Sequence, residues 1–191
     1  MNKDLDHYIK NFRGRLSKEC CEQTIKELKK LNKQDWKQHS YYGVKEGFTS
    51  RDKKHELKVS HDSHITTHSL IMKELWNVIS DYIKEINFKW YHSWSGYSNI
   101  RFNRYDKHNN MQLHCDHIHT LFDGKRRGIP ILSIVGVLNE NFEGGEWVMF
   151  ENKKIELKTG DILMFPSNFL YPHGVLPITK GTRYSFVSWV W

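Results

Sequence analysis

Gln112-Leu113-His114-Cys115-Asp116-His117-Ile118 reads as a β-strand that carries chemistry on one face. Side chains alternate across a strand, so His114 and Asp116, one residue apart, point the same way and can grip one metal ion. His117 turns to the opposite face. A third ligand then has to come from another strand facing the same pocket. Leu170-Tyr171-Pro172-His173-Gly174-Val175 offers His173, set between apolar and turn residues. Two imidazoles and one carboxylate form a facial set that leaves coordination positions open, which suits a non-haem Fe(II) centre. Further on, Gly181-Thr182-Arg183-Tyr184-Ser185 puts an arginine on the following strand, where its planar fork can hold the carboxylate of a small acid.

A ligand-bearing strand needs neighbours, and the flanking pattern supplies them. After Trp90 the sequence turns strand-like and stays so, with Gly, Asn, Asp and Pro between runs rich in Val, Ile, Phe, Tyr and Trp. Strands are expected near Tyr97–Tyr105, Gln112–Ile118, Pro130–Leu138, Glu146–Phe150, Lys154–Leu157, Asp161–Phe165, His173–Pro177 and Arg183–Trp191. So many short strands in one region point to a jelly-roll barrel, which closes or covers its own edges. Gly144-Gly145 and Gly160-Asp161 read as turns between them.

The earlier half reads differently. Asp6 to Phe12 suggests a short strand, and Ser17 is a good N-cap with Glu19 in the first turn. The helix then runs to about Leu31, with Cys21, Ile25, Leu28 and Leu31 as its buried stripe. A longer helix from about Ile65 to Ile86 shows one apolar face of Ile71, Leu75, Val78, Ile79, Tyr82, Ile83 and Ile86, fit to pack on a sheet. The stretch between them carries loop signals at Gly43, Gly47, Ser50 and Asp52. The expected class is therefore α+β: a double-stranded β-helix (jelly-roll) barrel over about 91–191 with supporting helices over about 1–90, one domain over 1–191.

Composition agrees with a folded chain. At 191 residues, with 38% hydrophobic, 27% charged and 14% aromatic residues, it is long enough for one real core and far from the signature of disorder. The charge, 29 basic against 22 acidic residues for a net +7, permits acidic partners such as nucleic acid without requiring them. Much of it lies along the first helix and its exit, at Lys26, Lys29, Lys30, Lys33 and Lys37, a solvated face. Lys125-Arg126-Arg127 is a compact basic loop elsewhere. Cys20, Cys21 and Cys115 form neither a disulfide framework nor a metal-ligand spacing, so a reducing, cytoplasmic setting is expected. No apolar run is long enough for a membrane span, and no membrane association is expected.

Taken in order, these segments resemble the prolyl-4-hydroxylase-like branch of the Fe(II)/2-oxoglutarate dioxygenases. Arg104-Tyr105 precedes His114-x-Asp116, and Val137-Leu138-Asn139 leads to Phe142-Glu143-Gly144-Gly145-Glu146. Lys158-Thr159-Gly160-Asp161-Ile162-Leu163-Met164-Phe165 follows, then His173 and Gly181-Thr182-Arg183-Tyr184. Each segment is weak alone; the order makes them specific. The similarity covers about Arg101 to Trp191, and more weakly Leu16–Ile25. Two positions depart from the family: its usual glycine is His108, and a tyrosine often found three before the first ligand is Met111.

The resemblance implies Fe(II) held by His114, Asp116 and His173. It implies 2-oxoglutarate as co-substrate, its far carboxylate on Arg183, with Ser185 adding a hydroxyl and Tyr105 helping to bind it. Ascorbate would serve as reductant. Asp116 favours hydroxylation, because related halogenases lack the carboxylate. Val175 and Trp189 share strand faces with His173 and Arg183 and would wall the pocket. No catalytic side chain is implied beyond these metal and co-substrate ligands. The expected activity is a dioxygenase reaction with molecular oxygen on a peptide or protein substrate, proline first, releasing succinate and carbon dioxide. A nucleic-acid or small-molecule substrate is the alternative, disfavoured because related nucleic-acid demethylases carry a second arginine where Trp189 stands. A barrel that merely binds a ligand is the third reading. A rival metal site, His61, His64 and His68, rests on histidines four apart sharing a helix face, without the glutamate of a metalloprotease motif.

Overall fold

The computed structural model describes residues 4–43, 47–49, 55–89, 91, 94–116 and 130–191. In chain order it contains β1 (Lys10–Phe12), α1 (Lys18–Leu28), β2 (Lys37–Gln38), β3 (Tyr41–Gly43), β4 (Gly47–Thr49), β5 (Lys58–Ser60) and α2 (His68–Ile86). Then come β6 (Arg101–Tyr105), β7 (Met111–His114), β8 (Leu132–Val137), β9 (Glu143–Gly144), β10 (Trp147–Met149) and β11 (Lys153–Ile155). The last are β12 (Ile162–Pro166), β13 (His173–Val175), β14 (Ile178–Lys180) and β15 (Arg183–Val190).

Two antiparallel sheets organise the site. The larger runs β1-β12-β8-β15-β6-β5-β2 and the smaller β11-β10-β13-β7. Alternation sorts the large sheet's side chains to two cores. Phe102, Ile134, Ile162, Met164, Tyr184, Phe186 and Val190 face one cluster, shared with Leu28 of α1 and with Ile71, Leu75, Val78, Ile79, Tyr82 and Ile86 of α2. Tyr105, Val135, Leu163, Phe165, Val187 and Trp189 face the other, opposite Trp147, Met149 and Val175 of the small sheet. The expected α+β jelly roll with packing helices is the fold observed. Among the described residues no helix is long and apolar enough to cross a membrane.

Several boundaries differ from the sequence reading, each for a local reason. Leu5–Tyr8 is a 3-10 turn before β1, so the first strand is shorter than expected. Ser17 does cap α1, its hydroxyl accepting from the Cys20 amide at 3.2 Å, but the helix ends at Leu28 and leaves Ile25 and Leu31 only partly buried. The second helix starts at His68, so His61 and His64 precede it and share no helix face with His68. His64 instead bonds Asp62 at 3.0 Å with an exposed ring. The strand expected over Gln112–Ile118 stops at His114. Asp116 sits in the bend beyond it, so the two ligand candidates converge through a turn and not through strand alternation. His117, His119 and Lys125-Arg126-Arg127 lie outside the described residues.

Turn chemistry holds the rest. Gly144 and Gly145 have φ of 75° and 66°, and Gly160 has 86°. A Cβ on Gly160 would fall 2.2 Å from the Leu16 carbonyl, so glycine is required there. His108, where the resembled family has glycine, also adopts a left-handed φ of 72°.

Candidate metal and co-substrate site

The small sheet places the two histidines. β13 pairs with β7 so that His173 lies in register with His114, and their ring centroids are 4.5 Å apart. Each imidazole is oriented in the same way, with Nδ1 bonded to the carbonyl two residues earlier: His114 to Gln112 at 2.8 Å and His173 to Tyr171 at 3.0 Å. A carbonyl only accepts, so both Nδ1 atoms carry the proton. In the neutral ring, Nε2 then presents a lone pair. Trp147 stacks on the His173 ring at 5.1 Å, and Phe165 meets it edge-on at 4.8 Å.

Both Nε2 atoms turn toward Asp116, that of His114 lying 3.3 Å from Oδ1 and that of His173 3.6 Å from Oδ2. Ligand atoms of His114, Asp116 and His173 all fall within 4.8 Å of one another, and this is the group of metal-binding side chains found among the described residues. His61, His64 and His68 form no such group. Burial pushes the His173 imidazole down to about 4, against the opposing pull of Asp116, so it is neutral at pH 7. Burial pushes the Asp116 carboxyl up. The facing His173 and His114 and the Ser133 hydroxyl outweigh it and hold Asp116 below the usual carboxylate range. Two imidazole nitrogens and a carboxylate thus converge on one point. A divalent cation fits that donor set.

The large sheet orients the carboxylate. Ser133 and Trp189, neighbours in register on β8 and β15, both donate to Asp116 Oδ2, at 2.7 Å from the hydroxyl and 3.0 Å from the indole N–H. Ser133 is itself tied to Ser167 at 2.8 Å. With Oδ2 taken by two donors, Oδ1 is the oxygen left for a metal. Trp189, expected from sequence to wall the pocket, anchors the Asp116 carboxylate, while the Arg101 guanidinium covers its ring at 5.0 Å. Val175 is buried with Trp147 and Tyr105 in the core between the sheets.

Arg183 starts β15, paired with Tyr105 of β6, and is 2% exposed. Its guanidinium donates to Ser185 at 2.9 Å and lies 5.1 Å from the centre of the Tyr105 ring. It makes no ion pair with a described residue. Burial lowers its pKa, with Tyr105 opposing the shift, and burial likewise raises the Tyr105 phenol. A buried cation without a counter-charge calls for an anion from outside. The predicted residues are thus brought into one region, His114 and His173 on the small sheet with Asp116 in the bend beyond it, and Arg183, Ser185 and Tyr105 on the facing large sheet.

Sequence reasoning missed Ser133, a lone polar residue in the apolar run Leu132-Ser133-Ile134-Val135 with the parity of the inner face. That parity was a usable signal. Trp147 gave none, since an aromatic in a buried strand reads as core.

Residues 100–191 match the sequence model of the 2OG-Fe(II) oxygenase superfamily. This part of the chain is similar to that superfamily. Fe(II) and 2-oxoglutarate are the cofactors the family implies, and the donor set and the uncompensated arginine fit them. A PKHD-type hydroxylase of Idiomarina loihiensis is 36% identical over 94 residues, covering 48% of this chain and 41% of the relative. One of Aliarcobacter butzleri is 35% identical over 97 residues, covering 47% and 41%. The chain thus spans about two fifths of the length of these curated relatives. A Trichoplax adhaerens prolyl hydroxylase, solved with a hypoxia inducible factor peptide fragment, superposes with a TM-score of 0.70 at 18% identity, covering 97% of this chain and 84% of that one. A Pseudomonas putida prolyl-4-hydroxylase gives 0.67 at 17% identity, covering 96% and 92%. The oxygenase fold thus extends over nearly the whole chain, beyond the segment whose sequence matches.

Proposed function

We propose that this chain hydroxylates a peptidyl residue, proline first, with Fe(II), 2-oxoglutarate and molecular oxygen. His114, Asp116 and His173 would hold the metal, and Arg183 with Ser185 and Tyr105 the far carboxylate of the co-substrate. The observation that carries the reading is a complementary pair on facing sheets: two imidazoles and a carboxylate that converge, and a buried guanidinium that no described acidic side chain pairs with. Names of the relatives, PKHD-type hydroxylases, and the prolyl hydroxylase fold support the substrate class.

Bound in this site, Fe(II) with 2-oxoglutarate supplies the oxidising power to insert one atom of dioxygen into a C–H bond, the other going to succinate as carbon dioxide leaves. The chain's own residues prepare for that. The Gln112 and Tyr171 carbonyls hold the two Nδ1 protons and keep each Nε2 turned inward. Ser133 and Trp189 anchor one oxygen of Asp116 and leave the other to face the metal. Arg183 orients the acid by a charge-assisted fork, with Ser185 both accepting from it and retaining a proton to donate. Tyr105, Val175 and Trp147 line an apolar interior that excludes water.

The test is succinate formation from 2-oxoglutarate with Fe(II) and oxygen, run without substrate, with prolyl peptides and with single-stranded nucleic acid. Stimulation by prolyl peptides together with one added oxygen in the peptide by mass spectrometry is expected. Stimulation by nucleic acid alone would refute the substrate class while sparing the metal site, and no metal-dependent turnover at all would refute both.

A further inference from the structure

A co-substrate bridging the metal-binding groups and Arg183 would have to run beside one strand of the small sheet. β10 follows Gly145, at which a Cβ would lie 3.5 Å from Arg183 Cδ, and it ends at Met149, which pairs in register with His173. Trp147 stands midway. It is 3% exposed, stacked on His173, and surrounded by the apolar cluster of Val175, Ile178 and Phe165. Its indole N–H is buried without a hydrogen-bond partner among the described residues. Tryptophan normally finds an acceptor when buried, and a hydrocarbon ring would fill the same space without stranding a donor.

We propose that Trp147 is a co-substrate-binding residue whose indole N–H donates to an oxygen of the 2-oxo acid held between the metal-binding groups and Arg183. This rests on the functional reading above. The acid brings acceptor oxygens into the apolar interior, alongside the strand that carries Trp147. The arrangement also links the two ends of the site, because the ring that meets the acid is stacked on a metal-ligand imidazole.

The experiment titrates 2-oxoglutarate into Mn(II)-loaded protein by calorimetry, with Mn(II) affinity measured separately, for the wild type, Trp147→Phe and Trp147→Leu. Both apolar variants, which differ in shape, are expected to raise the 2-oxoglutarate Kd about tenfold or more while leaving Mn(II) affinity within about twofold. A 2-oxoglutarate Kd within about twofold of wild type overturns the proposal. So does a rise matched by an equal loss of Mn(II) affinity, which would make the ring a prop for His173 alone. If wild-type protein itself binds Mn(II) but no 2-oxoglutarate, the functional reading falls, and this inference with it. Circular dichroism of the metal-free variants establishes that each is folded, and either folded variant alone decides the question.

Discussion

Arg183→Met should stabilise the ligand-free protein and at the same time abolish its response to 2-oxoglutarate. The guanidinium is 2% exposed and, among the described residues, meets the Ser185 hydroxyl and the Tyr105 ring and no counter-charge. Desolvating an ion costs several kcal/mol after relaxation. The hydrogen bond returns about 1.5–3 kcal/mol and the ring about 1–2 kcal/mol. Methionine, flexible and apolar, fills the same channel without that deficit. The net gain is about 1–3 kcal/mol, which for a chain of this size raises Tm by roughly 2–12 °C. Binding moves the other way. Leaving a substrate carboxylate unpaired costs about 2–5 kcal/mol, or roughly thirtyfold to several thousandfold in Kd. Thermal unfolding with and without Mn(II) and 2-oxoglutarate reads both effects, because a ligand raises Tm only as far as it binds. If Arg183→Met lowered the ligand-free Tm by several degrees, the guanidinium would be satisfied within the protein. An unchanged response to 2-oxoglutarate would place the carboxylate elsewhere.

Acid should loosen the metal-free protein through His173. Its folded pKa of about 4 lies below the ordinary 6.5, so the unfolded chain takes the proton first; its contribution is full above about 6.5 and is lost as the pH falls to about 4. That amounts to about 3 kcal/mol, and protonation of Asp116, whose pKa is depressed, extends the loss to lower pH. Urea midpoints in chelator across this range should fall for the wild type, and a flat profile would refute the assignment. Trp189→Phe and Ser133→Ala should each weaken Mn(II) binding by about 10–100-fold, because Asp116 Oδ2 loses a donor; equal affinity in both variants would deny them an orienting role. His108→Gly relieves a left-handed φ of 72° at an exposed site, and strain relief of about 1–2 kcal/mol exceeds the added unfolded-state entropy of about 0.5–1 kcal/mol. A small rise in Tm is expected, and a fall would mean that the imidazole contributes contacts that outweigh the strain.

Alternation made the inner face of β15 readable, because Arg183, Ser185 and Trp189 had to share a side whatever the neighbouring strand was. Helix periodicity worked for most of α2: of the expected apolar face, Ile71, Leu75, Val78, Ile79, Tyr82 and Ile86 are buried and Ile83 is partly so, while Leu70 and Trp76 are exposed. Asp116 was identified for a reason that the backbone does not follow: it reaches the histidines from a bend after β7. Its true determinants, Ser133 and Trp189, are separated from it by 17 and 73 positions, and hydrogen bonds over such separations leave no periodic trace. The rival histidine site failed at a helix boundary, which periodicity locates only loosely. Trp147 was invisible because packing and hydrogen bonding select the same residue type, and only an unpartnered N–H tells them apart.

Charge explains why the two halves of the site belong together. A divalent metal held by two neutral imidazoles and one carboxylate leaves one positive charge on the small sheet. Arg183 adds a second on the large sheet, buried and unpaired among described residues. Neither charge is tolerable in an apolar interior on its own, and a monoanion would leave the other exposed to the same desolvation cost. A dicarboxylate neutralises both at once, provided that its two carboxylates are far enough apart to reach opposite sheets. On this argument a short monocarboxylic 2-oxo acid such as pyruvate, which lacks the far carboxylate, should bind more weakly by the same factor as 2-oxoglutarate loses in Arg183→Met. The variant should no longer distinguish the two acids. Retained discrimination would mean that some group other than Arg183 reads the second charge, and the pairing of deficits across the sheets would lose its meaning.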